Sequence, residues 1–122
     1  MTDGPVDQDV LRRLLDSMGG DQEFIAELIE QFLTDAPGLV EAARTGLDSG
    51  DVDEVRRAAH TLKSNAATFG AHKLAERSRS LEEAAKAGSL GDGGEQVTGI
   101  AEELERVREA LRSARAAPSE GS

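Results

Sequence analysis

The chain has 122 residues, the size of one domain. Its 14 Lys+Arg against 24 Asp+Glu leave a net charge of −10, with no basic surplus to neutralise a nucleic-acid backbone. It has no Cys, Trp or Tyr, which excludes disulfide scaffolds, thiol catalysis and Cys-bearing metal sites, and removes most of the ring platforms used by single-strand binders.

Met1-Thr2-Asp3-Gly4-Pro5 carries neither the basic nor the apolar region of a secretory signal. No apolar run approaches the roughly 18 residues of a membrane span. A cytoplasmic protein without membrane or nucleic-acid partners is expected, with residues 1–6 a flexible N-terminus. A first helix runs from about Val6 to Met18, with Val10, Leu11, Leu14, Leu15 and Met18 at helical spacing, and Gly19-Gly20 ends it. Asp21 caps the next, whose apolar face is Phe24, Ile25, Leu28, Ile29, Phe32 and Leu33. Pro37 is expected to kink or restart it before Leu39, Val40, Ala43 and Leu47 continue to Asp48.

Asp51 with Glu54 reads as a capping box, Asp standing in for Ser or Thr. The helix it opens runs to Phe69, with Gly70 in the C′ position. Another helix spans about Ala71 to Ala87 and closes at Gly88. Gly91-Asp92-Gly93-Gly94 reads as a loop. The last helix, about Glu95 to Ala114, carries the stripe Val97, Ile100, Leu104, Val107 and Leu111. The pattern predicts an all-α fold: an antiparallel up-down four-helix bundle over residues 7–115 with a short N-terminal capping helix. Residues 116–122 read as a disordered tail.

Charge is distributed unevenly. Residues 1–50 hold 11 acids and 3 bases, residues 51–90 hold 6 and 7, and residues 91–122 hold 7 and 4. The central hairpin is the one region that does not repel an anion. On the wheel of its first helix, Val55, Leu62, Ala66 and Phe69 point inward, and His60 lies roughly 150° from the centre of that stripe. Arg56, Lys63, Ser64 and Ala67 fall within roughly 60° of it. A solvent-facing imidazole offers a neutral, nucleophilic nitrogen at physiological pH. Lys63, one turn on, can meet an anion attached to the ring, and Arg56, one turn back, is a second cation. Small residues leave room for a visitor. An exposed His, a neighbouring cation and low relief are what a phosphoryl acceptor needs.

The stretch His60-Thr61-Leu62-Lys63-Ser64-Asn65-Ala66-Ala67-Thr68-Phe69-Gly70, preceded by Arg57-Ala58-Ala59, resembles the signature of histidine-containing phosphotransfer (HPt) domains. That signature is His-x-x-Lys-Gly with a further Gly downstream. Phe24 through Phe32, the Asp35-Ala36-Pro37 step, the Ser49-Gly50-Asp51 turn and the Leu74 to Leu81 helix extend the resemblance over residues 7 to 112. It implies that His60 is the phosphorylated residue and that Lys63 contacts the phosphoryl oxygens. Ser64 departs from the usual Gly, narrowing the approach while offering a hydroxyl to the phosphoryl group. Glu82 matches a position that often accepts a hydrogen bond from the unphosphorylated ring nitrogen. Lys86 lies where a basic residue is often found, and the resemblance implies that it too contacts the phosphoryl group. Spacing agrees in part, since Glu82 sits at the edge of its helix's apolar stripe, roughly 80° from Leu74, where a side chain can reach the neighbouring helix.

The function so implied is a phosphocarrier. It takes a phosphoryl group from a receiver-domain aspartate and passes it to another, in a relay fed by a histidine kinase. No Gly-rich nucleotide loop is present, so autonomous kinase activity is not expected. No cofactor or metal is expected, and a monomer is. Spare apolar groups of the first helix are candidates for docking. His72 reads as a surface residue. The competing reading is a non-catalytic helical adaptor or inhibitor. A ferritin-like metalloenzyme fits less well, because Glu-x-x-His pairs are absent.

Overall fold

The computed structural model describes residues 4–116. Five helices stand in chain order among them: α1 Gln8–Ser17, α2 Gln22–Ser49, α3 Val52–Thr68, α4 His72–Ala87 and α5 Gly93–Ala116. Helix α2 packs on α3 and α5, and α4 packs on α3 and α5. With tight turns between successive helices, this is the antiparallel four-helix bundle, and α1 is the added capping helix. Its core is aliphatic, with Phe32 and Phe69 at a centroid distance of 5.3 Å as its aromatic pair.

The ends of the helices follow local chemistry. Asp7, Asp21 and Asp51 cap α1, α2 and α3, each accepting a backbone N–H of the first turn. Gly50 and Gly88 take the left-handed conformation that closes α2 and α4. Gly70, at φ +75°, turns α3 into α4, and a Cβ there would meet the Val10 side chain at 2.8 Å and the Asp7 carbonyl at 3.0 Å. That glycine therefore lets the chain both turn and seat the start of α1.

Three expectations need correction. Helix α2 does not restart at Pro37. It passes through as one element, because Pro37 lies on the exposed face while Ala36 and Val40 are buried. The proline removes one i→i−4 bond, and the packing on both sides outweighs that loss. Helix α5 begins at Gly93 rather than Glu95. The Asp92 carbonyl accepts from Gln96 N at 3.0 Å, and bare Gly93 lets Leu47 approach closely. Val6 belongs to the core at 3 % exposure, although residues 1–6 were expected to be flexible. Of the expected flexible ends, Ala116 falls within α5, and residues 1–3 and 117–122 lie outside the described residues. No helix is long and apolar enough to cross a membrane, among the described residues.

Candidate functional site

The inward face of α3 is Val55, Ala58, Ala59, Leu62 and Ala66, all buried. His60 is thereby turned outward, with its side chain 58 % exposed. Beside it runs α4, whose buried face is Leu74, Ser78, Leu81, Glu82 and Ala85. The Ser78 hydroxyl is satisfied locally, donating to the Leu74 carbonyl at 2.8 Å. Glu82 instead reaches across to α3, and the residue is 3 % exposed.

One carboxylate joins two groups of α3. Glu82 Oε2 lies 2.9 Å from His60 Nδ1, and Oε1 lies 2.8 Å from Lys63 Nζ. The Lys63 ammonium holds the Glu82 carboxyl below its ordinary value of 4.5, helped by the His60 hydrogen bond, while burial opposes both. An ionised carboxylate can only accept, so Nδ1 carries the proton and donates. In the neutral tautomer so fixed the lone pair is on Nε2, which has no partner among the described residues. Lys86 Nζ stands 3.8 Å from Glu82 Oε2.

His60, Lys63, Glu82 and Lys86 are thus one cluster. Arg56 is apart from it, 3.7 Å from Asp53. The Ser64 side chain is exposed and its hydroxyl has no partner among the described residues, while its carbonyl accepts from Thr68 Oγ1. Sequence reasoning placed Lys63 beside the ring but missed its ion pair with Glu82. Residues on different helices leave no spacing signal for such a pair.

The second histidine is engaged elsewhere. His72 Nε2 lies 3.1 Å from Asp7 Oδ2, at the junction of α1 and α4. Asp7 also donates its backbone N–H to the Gly70 carbonyl at 2.9 Å. No α1 residue is fully buried. Leu11 and Leu14 pack on the core, while Val10, Leu15 and Met18 remain half-buried, and Phe24 at the start of α2 is 44 % exposed. Among the described residues no group of three or more His, Asp or Glu side chains could hold a metal ion.

The site is an outward imidazole on a long helix, fixed through Nδ1 by a buried acid of the next helix, in a bundle capped by α1. Residues 27–110 match the family model of the Hpt domain, and the chain belongs to that family. It is a phosphotransfer carrier of two-component phosphorelays. It is 28 % identical over 108 residues to the phosphorelay protein LuxU of Vibrio harveyi, covering 88 % of this chain and 93 % of that one. It also resembles the crystal structure of histidine-containing phosphotransfer protein B (HptB) from Pseudomonas aeruginosa PAO1. The TM-score is 0.86 at 25 % identity, covering 93 % of this chain and 96 % of that one.

Proposed function

We propose that His60 is the phosphoryl acceptor of this carrier, taking the group from a receiver-domain aspartate and passing it to another. The observation that carries this reading is the Glu82 Oε2 to His60 Nδ1 bond of 2.9 Å on an exposed ring, whose Nε2 has no partner among the described residues. Nε2 attacks the phosphorus of the acyl phosphate. The P–N bond forms as the P–O bond breaks, and the electron pair leaves on the aspartyl carboxylate. The ring keeps its Nδ1 proton and becomes cationic, and the Glu82 carboxylate faces that charge. Return of the group to a second aspartate reverses each step.

In this reading Lys63 turns toward the phosphoryl oxygens, Arg56 adds a second positive charge one turn away, and Ser64 offers a hydroxyl. Phosphoryl transfer depends mainly on position and charge neutralisation, so these side chains suffice on the carrier's side. The chain has no nucleotide-binding loop, and the reading gives it no kinase activity of its own. Its partners are receiver domains and the histidine kinase that feeds them. The half-buried apolar groups of α1, with Phe24, supply a docking face. The carrier acts as a cytoplasmic monomer.

The test is incubation with a phosphorylated receiver domain. Acid-labile, base-stable label is expected on the parent chain and none on His60→Gln, with helicity unchanged. Label that survives the substitution contradicts the reading.

A further inference from the structure

Lys86 was expected from the family resemblance to meet the phosphoryl group. The geometry points to a different role for it, as the reserve cation of Glu82, closing on that carboxylate when the phosphoryl group draws Lys63 away. The inference rests on His60 being the acceptor.

In the resting chain Glu82 is buried and its partners are His60 and Lys63, each at hydrogen-bond distance. A buried carboxylate stripped of its cation is costly. Lys63 lies one turn beyond His60 on the same helix, within reach of the ring, so a phosphoryl group on Nε2 competes with Glu82 for it. Transfer adds two negative charges as phosphoryl and one positive charge on the ring. With Lys86 counted, the Glu82, Lys63, His60 and phosphoryl cluster is neutral, and without it one negative charge is left over.

Position favours the same assignment. Lys86 follows Glu82 by four residues on α4, the orientation in which a Glu–Lys pair is best placed. It faces Oε2, the oxygen that holds Nδ1, rather than Oε1, which Lys63 occupies. At 3.8 Å it is about 0.6 Å outside hydrogen-bond range, and its side chain is exposed and free to close.

The experiment is a double-mutant cycle on the full chain, phosphorylated with phosphoramidate. That small donor's P–N bond breaks and ammonia leaves as the Nε2–P bond forms. The lifetime of phosphorylated His60 is read by phosphorus NMR in the parent, Lys86→Met, Glu82→Gln and the pair. Lys86→Met is expected to shorten the lifetime about threefold in the parent, the size of a well-placed exposed ion pair. It is expected to change nothing in the Glu82→Gln background, where a neutral amide needs no cation. Lys86→Arg is expected to restore the parent value. Equal shortening in both backgrounds overturns the inference, since Lys86 then touches the phosphoryl group directly. No shortening in either overturns it too, since Lys63 then serves both anions. Absence of label from a phosphorylated receiver speaks against the relay reading alone, because phosphoramidate needs no partner protein.

Discussion

The molecule contains two histidine–carboxylate pairs, and they are built in opposite senses. His60 offers Nδ1 to Glu82 and keeps Nε2 outward, whereas His72 commits Nε2, the nitrogen farther from its own backbone, to Asp7. Glu82 is buried in the seam of α3 and α4 and is shared with Lys63. Asp7 is partly exposed, caps α1, and has its carboxyl pulled below its ordinary value chiefly by the His72 hydrogen bond. In the proposed function the first arrangement orients a nucleophile against a fixed counter-charge. The second fastens the capping helix to the α3–α4 turn. On that proposal, which ring nitrogen is tied down, and how dry its partner is, separates a reactive histidine from a tether.

The comparison breaks most visibly at Glu82. Glu82→Ala removes the acceptor of the Nδ1 proton, a charge-assisted bond of about 1.5–3 kcal/mol. Phosphoryl transfer from a receiver is expected to slow about tenfold to a hundredfold by the same conversion. Stopped-flow or quench kinetics check this, and an unchanged rate removes Glu82 from the mechanism.

On the tether side the larger effect falls at Gly70. Gly70→Ala puts a side chain in the left-handed region, a cost of about 1–2 kcal/mol, and pushes against Val10 and the Asp7 carbonyl. Urea unfolding is expected to show that loss, and amide exchange in α1 is expected to accelerate before that in α3. Uniform acceleration across the bundle contradicts the tether.

The smallest effect is a pH dependence. Glu82 has a lowered pKa in the folded chain, so its contribution is fully present above the ordinary value of 4.5 and is lost as pH falls through the lowered value. The stability difference between the parent and Glu82→Gln, from urea titrations, is expected to shrink below pH 4.5. A constant difference contradicts the ion pair with Lys63.

Much of this could be read before any coordinates. Glycines and Asp caps punctuate the helices, and the wheel of α3 turns His60 to solvent because Val55, Leu62 and Ala66 claim the other side. The edge position of Glu82 on α4 is also legible. What stays hidden is tertiary. Asp7 meets His72 across 65 positions of sequence, which no periodicity records. Glu103, polar by type, is 1 % exposed, because it flanks the α5 stripe and Arg106 pairs with it at 2.6 Å. Pro37 reads as a break because its neighbours' burial is invisible in one dimension. The pairing of Lys63 with Glu82 depends on how two antiparallel helices are set side by side, which fixes where a flexible ammonium comes to rest.

The central claim is a claim about one atom. Phosphorus–nitrogen and proton–nitrogen correlation NMR on the chain labelled by a phosphorylated receiver reads it directly. The account predicts phosphorus on Nε2 of His60 with a proton retained on Nδ1. Phosphorus on Nδ1 of that ring, or on His72, contradicts it.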